Sequence, residues 1–241
     1  MGTSCFHPFA QHLGDYYTIY AFDLFFHGQS RGLTSEDDFS DDDILTKVVW
    51  RNFIQDFLTT QKITRFDVAG FSLGGRYALA TAEAFPASLD KLLLMAPDGV
   101  VEHPLYTLAT RFAPARWVFR QLVRNPEPLF AVAELARQLR LIPKNLVYFV
   151  RYMLDTPEER IRLYRTWVSL RYLSFSIKSL YENLIAMNVD VWLFAGMYDT
   201  VFPPRRLKIL SRRMPPERFV ILESSHTRLV EKTAAYLATF F

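Results

Sequence analysis

Near-continuous apolar runs alternate with helix-spaced stretches along most of this chain. The runs fall at 17–22, 66–69, 89–96, 189–195 and 218–222. Runs that are apolar throughout, not at every second residue, suit strands buried on both faces of a parallel sheet. Between them, residues 43–60 carry Ile44, Val48, Phe53, Ile54 and Phe57 at helical spacing, and 76–85 forms a second helical stretch stopped by Pro86. A short basic stretch at 205–213 is closed by Pro215-Pro216, and an apolar helical pattern at 229–241 ends the chain. Strand alternating with helix predicts the α/β class: a mostly parallel sheet flanked by helices, with right-handed crossovers.

The stretch 103–183 breaks this rhythm. It is helix-rich and punctuated by Pro104, Pro114, Pro126, Pro128, Pro143 and Pro157, with arginines and aromatics interleaved, as in Arg111, Phe112, Arg116, Trp117, Phe119 and Arg120. Thr156 followed by Pro157 reads as an N-cap and first helical residue. The stretch is too long for one crossover. It is read as a helical cap inserted over the sheet's catalytic edge, with the α/β core formed by 1–102 and 184–241.

Half of the 241 residues are hydrophobic, enough for a sizeable core. No uncharged apolar run reaches the roughly 18 residues of a membrane span. The opening Met1-Gly2-Thr3-Ser4-Cys5-Phe6 lacks the basic and apolar regions of a signal peptide. With Cys5 as the one cysteine, an internal disulfide is excluded, and a reducing, cytoplasmic setting is expected. The net charge of +3 is unevenly spread: 103–182 holds thirteen Lys/Arg against six Asp/Glu, and the remainder fifteen against nineteen. No nucleic-acid-binding pattern accompanies the basic stretch. A membrane-surface contact through 111–124 is one reading of it, although Pro114 interrupts that helix.

Gly70-Phe71-Ser72-Leu73-Gly74 lies between an apolar run and a helical one, the setting of a nucleophile elbow. A Ser on such a turn is pushed out toward a substrate carbonyl, and the next residue, Leu73, offers its N–H to an oxyanion. A nucleophilic Ser72 needs a base and a group that orients the base. Of the five histidines, His226 stands after the last apolar run and before the last helix, whereas His7, His12, His27 and His103 lie earlier. Asp199 follows a strand-like run ending in Gly196-Met197-Tyr198, with Asp98 as the second candidate acid. Phe71, beside the nucleophile, is expected either to line the substrate pocket or to pack beneath it. Neither a metal nor an organic cofactor is indicated.

These residues resemble the α/β-hydrolase superfamily, in its capped esterase and carbon–carbon hydrolase branch. Asp23-Leu24-Phe25-Phe26-His27-Gly28-Gln29-Ser30 is similar to that family's D-L-P-G-H-G-x-S segment, with Phe25 and Phe26 in place of Pro and Gly. The run Val68–Gly75 is similar to its elbow, and Gly196-Met197-Tyr198-Asp199 to its acid turn; Ser225-His226 departs slightly from Gly-His. The order Ser72, Asp199, His226 is the family's order. In the family a strand ending in His-Gly, upstream of the aspartate matched by Asp23, supplies the second oxyanion donor. Here twenty-two residues precede Asp23, so that strand and donor are expected to be absent. Loss of one such donor costs on the order of 10²–10³ in rate.

The resemblance implies a serine hydrolase. Ser72 attacks an acyl carbon, His226 moves the proton, and Asp199 orients the imidazole. The implied partner is a small acyl substrate, of acidic character if the cap arginines receive it. The alternative is a non-catalytic or crippled α/β-hydrolase-fold protein that uses the cap as a binding surface.

Overall fold

The computed structural model describes residues 2–32, 39–142 and 144–241. Met1 and Pro143, both used above, lie outside the described residues. In chain order the helices begin with α1 (His7–Leu13), α2 (Lys47–Thr60), α3 (Gly74–Ala84), α4 (Pro104–Arg111) and α5 (Ala113–Arg124). They continue with α6 (Glu127–Gln138), α7 (Lys144–Met153), α8 (Pro157–Ser169), α9 (Ile177–Ala186), α10 (Lys208–Ser211) and α11 (Leu229–Leu237). The strands are β1 (Phe66–Phe71), β2 (Leu89–Met95), β3 (Asp190–Gly196) and β4 (Phe219–Leu222). They form one four-stranded sheet in the order β1-β2-β3-β4, parallel throughout.

Two compact units partition the chain. The first comprises Met1–Leu24, Thr46–Glu102 and Leu173–Phe241; the second comprises Phe25–Leu45 and His103–Tyr172. The sheet lies in the first. On one face Leu92 and Leu94 of β2 and Val191 and Leu193 of β3 pack with Ala78, Leu79, Leu180, Leu184 and Leu210. On the other face Leu93, Met95, Trp192 and Phe194 pack with Phe9, Leu13, Leu229, Val230 and Ala234. Successive strand residues thus enter opposite cores, and both cores are apolar. This is why the runs show no alternation.

Four of the five expected strands form. The run 17–22 does not join the sheet, and β1 pairs with β2 alone among the described residues. Lacking a ladder, the run is held by its side chains. Tyr20 and Phe22 set their ring edges against Phe57, and the Lys91 ammonium donates to the Tyr17 hydroxyl at 2.9 Å. The helix expected from 43 starts later, because the Thr46 hydroxyl accepts from Val49 N–H and caps α2. The stretch 205–213 divides into a 3₁₀ turn, Pro204–Leu207, and the single-turn α10.

The second unit is helical, with boundaries that differ from the expected 103–183. Helix α9 belongs with the first unit, where Ile177, Leu180, Tyr181 and Leu184 join the core beside the sheet. The segment Phe25–Leu45 joins the second unit because it carries the counter-charges of the arginines there. Asp41 accepts from the Tyr164 hydroxyl at 2.5 Å and pairs with Arg116 at 2.9 Å and Arg120 at 2.7 Å. The buried Asp43 pairs with Arg165 at 2.8 Å. Burial pushes the Tyr164 phenol up to about 12, and its hydrogen bond to Asp41 adds to the effect. Arg111 and Arg171 are tied to backbone carbonyls. Five arginines of the stretch 103–183 are therefore held within this unit. The cap on α8 forms as expected, with Thr156 accepting from Glu159 N–H and Pro157 leading the helix.

Candidate active site

Ser72 follows the last residue of β1 and precedes the first turn of α3. Its φ of 50° lies in the left-handed region that non-glycine residues rarely occupy. The surrounding backbone fixes that turn. The Ser72 carbonyl accepts from Gly75 N–H at 2.9 Å and Asp98 N–H at 2.8 Å, and its N–H donates to the Met95 carbonyl at 2.9 Å.

The glycines of the motif are not equivalent. A Cβ on Gly70 would stand 2.6 Å from the Gly74 carbonyl oxygen, and one on Gly75 would stand 2.5 Å from Pro97 Cβ. A Cβ on Gly74 would meet nothing within 4 Å. Gly70 and the following Gly75 are therefore the closed positions, because α3 passes against the first and the Pro97 loop against the second. Leu73 stands at the N-cap of α3, where the first N–H groups of a helix have no acceptor within the helix.

His226 Nε2 lies 3.1 Å from Ser72 Oγ, and its Nδ1 lies 2.6 Å from Asp199 Oδ2. A carboxylate only accepts, so the Nδ1 proton is assigned toward Asp199, and Nε2 is left to accept from the Ser72 hydroxyl. Asp199 is 3% exposed. Its other oxygen accepts from Val201 N–H at 2.8 Å and Phe202 N–H at 2.7 Å. Burial pushes this carboxyl up, but the hydrogen bonds from His226 and from the Phe202 and Val201 N–H groups outweigh it, and the group sits below its ordinary range. The sequence therefore brings together Ser72, Asp199 and His226 across 154 positions of chain.

The other candidates are engaged elsewhere. Asp98 gives both oxygens to Arg76, with Nε at 2.6 Å and Nη2 at 3.3 Å. His103 caps α4, accepting from Leu105 N–H. His27 sets Nδ1 2.9 Å from the Phe25 carbonyl oxygen, and His7 and His12 lie on α1. Phe71 is 7% exposed, with its ring centroid 4.8 Å from that of His226. Phe202 lies near the imidazole at 6.1 Å, its ring plane tilted by 21°. Reasoning from the sequence missed Phe202 and Val201; the signal was the turn Asp199-Thr200-Val201-Phe202 ahead of Pro203, where a carboxylate caps the backbone two and three residues on. Among the described residues, no group of three or more His, Cys, Asp or Glu side chains is placed to hold a metal ion. Cys5 is half-buried, and burial pushes its thiol up.

A parallel sheet flanked by helices, with a left-handed Ser at the strand–helix turn facing a His–Asp pair, is the architecture of a hydrolase class. The match to the family model described as Alpha/beta hydrolase family spans residues 1–239, and the chain belongs to that family. Among solved structures, a thermophilic esterase from Thermogutta terrifontis superposes with a TM-score of 0.65 at 16% identity, covering 100% of this chain and 84% of the esterase. A meta-cleavage product hydrolase from Pseudomonas fluorescens IP01 superposes with a TM-score of 0.57 at 18% identity, covering 100% and 85%. The uncharacterized protein Rv2715 of Mycobacterium tuberculosis is 26% identical over 224 residues. That alignment takes in 88% of this chain, and the chain spans 63% of the relative's length. No helix among the described residues is long and apolar enough to cross a membrane.

Proposed function

We propose that this protein is a serine hydrolase acting on a carboxylic ester or related acyl substrate through an acyl-enzyme. The observation that carries the reading is the continuous hydrogen-bonded line Ser72 Oγ, His226 Nε2, His226 Nδ1, Asp199 Oδ2, at 3.1 and 2.6 Å. Family membership supports hydrolysis in general, and this line supports the particular chemistry.

Ser72 Oγ attacks the acyl carbon while His226 Nε2 takes its proton. The imidazolium that forms is stabilised by the Asp199 carboxylate, which Val201 and Phe202 N–H hold in place. The proton then passes to the leaving alcohol. Water then attacks the acyl carbon as His226 Nε2 takes its proton, and His226 returns that proton to Ser72 Oγ as the ester bond to Ser72 breaks and the acid leaves. Leu73 N–H, at the N-cap of α3, donates to the oxyanion of each tetrahedral intermediate. Phe71 supports the imidazole with its ring, so its part is to position His226 and not to touch substrate.

The test is covalent labelling with an alkyl fluorophosphonate followed by intact mass and peptide mapping. One adduct per chain, on Ser72, is expected, with labelling lost in Ser72→Ala and strongly slowed in His226→Ala. Labelling elsewhere, or at equal rate in His226→Ala, overturns the assignment.

A further inference from the structure

We infer that the end of α6, with Leu139, Arg140 and Leu141 after it and the exposed Lys144 and Tyr148 of α7, docks on an anionic lipid surface. The inference concerns this surface alone and does not depend on the proposed chemistry.

Between Ala136 and Leu154 the sequence holds Arg137, Arg140, Lys144 and Arg151, and no Asp or Glu. Elsewhere in the same unit Arg116 and Arg120 are taken up by Asp41 and Arg165 by Asp43. The stretch 111–124, one reading of a membrane contact, thus has Arg116 and Arg120 engaged within the unit. On α6, Glu134 pairs with Arg137, and Glu127 sits at the far end, in the first turn. Arg140 and Lys144 are exposed, Lys144 alongside the Tyr148 ring, whereas Arg151 lies over the Phe130 ring and within electrostatic reach of Glu134.

The same helices and the residues just after α6 also expose large apolar groups. Leu135 and Leu139 share a helical face at 57% and 61% exposure, and Leu141 at the turn is 73% exposed. Tyr148 and Tyr152, four residues apart on α7, are 57% and 70% exposed. Leucines to enter the acyl boundary, tyrosines for the headgroup level and cations for anionic headgroups form the composition of an interfacial element. A second copy of this chain would meet the same surplus of positive charge on its own surface, which argues against self-association here.

The backbone of the turn adds an independent point. Helix α6 closes with Leu141 N–H donating to the Ala136 carbonyl at 2.9 Å and Arg140 N–H donating to the Arg137 carbonyl at 3.0 Å. In this closure the residue with left-handed φ is normally glycine. Here it is Arg140, at φ 57°. A strained position thus holds a long cation, and the next position holds an exposed leucine where the motif ordinarily packs an apolar contact.

Each basic residue at an anionic surface raises affinity about fivefold, so Arg140 and Lys144 give a preference for anionic over neutral vesicles of roughly 25-fold. The test is sedimentation with phosphatidylcholine vesicles, with and without about one-third phosphatidylglycerol, which reads binding and not turnover. Wild-type chain is expected to sediment with the anionic vesicles only and to be released by high salt. Arg140→Glu/Lys144→Glu and, separately, Leu139→Ser/Leu141→Ser are expected to lose at least tenfold in affinity at unchanged melting temperature, since all four side chains are exposed. Equal partition onto both vesicles, no partition onto either, or variants that bind as wild type overturn the inference. So does a dimer that Leu139→Ser/Leu141→Ser disperses in the absence of vesicle binding.

Discussion

Replacing Arg76 should unsettle Ser72 and its turn from below. Arg76 is 1% exposed, in the first turn of α3, four residues after Ser72. Its guanidinium donates to Asp98 at 2.6 Å, to Glu102 at 2.9 Å and to the Leu173 carbonyl at 2.8 Å. The same Asp98 donates its backbone N–H to the Ser72 carbonyl. Arg76→Met leaves two carboxylates without their cation and one carbonyl without its donor. Breaking a buried pair costs about 3–5 kcal/mol. The Asp98 and Glu102 side chains keep 22% and 20% exposure, and water can partly resolvate them, so roughly 2–3 kcal/mol is the better figure. For a chain of this size that corresponds to a melting temperature lower by roughly 5–10 °C. Thermal unfolding followed by circular dichroism reads it directly. The triple variant Arg76→Met/Asp98→Asn/Glu102→Gln removes the orphaned charges and should recover about half of the loss. If Arg76→Met melts as wild type, or the triple variant is worse than the single, the reasoning about this ion pair is refuted.

Asp199→Asn should lower kcat by roughly 10³–10⁴-fold with little change in KM, because the amide cannot hold the imidazole in the same tautomer; steady-state ester kinetics check it. Asp199 is held below its ordinary range in the folded chain, so its contribution to stability is present above about pH 4 and is lost as pH falls through the folded value. Acid titration of stability should therefore be flatter in Asp199→Asn than in wild type. Tyr164 runs the other way: with its phenol raised to about 12, its contribution is present below about pH 10 and lost as pH rises toward the folded value. Tyr164→Phe should lack that alkaline step in a pH series of urea unfolding. Gly75→Ala should damage the elbow more than Gly74→Ala, since the first places a methyl 2.5 Å from Pro97 and the second meets nothing within 4 Å; relative fluorophosphonate labelling rates give the comparison.

Much of this arrangement was legible because it is local. Ser72, Asp199 and His226 each follow an apolar run that forms a strand, and a strand followed by a turn presents its next residue at the sheet's edge. The hydrogen-bonded line of Ser72, His226 and Asp199 is assembled by three such local events. The features that escaped reading are those set by distant partners. The run 17–22 has the composition of a strand but no neighbour among the described residues to complete a ladder, and composition says nothing about neighbours. The arginines of the helical insertion looked available because their carboxylates, Asp41 and Asp43, stand 75 to 122 positions away. A motif does not show which of its glycines are crowded: α3 closes Gly70 and the Pro97 loop closes Gly75, while Gly74 is open.

The measurement that bears most directly on the central claim is hydrolysis of a short-chain p-nitrophenyl ester by this chain beside Ser72→Ala, with folding of both verified. Turnover by the wild type that falls at least a thousandfold in Ser72→Ala is the predicted result. Equal turnover in the two proteins would contradict it, as would a folded wild type that is inert both as this chain and when extended at its N-terminus.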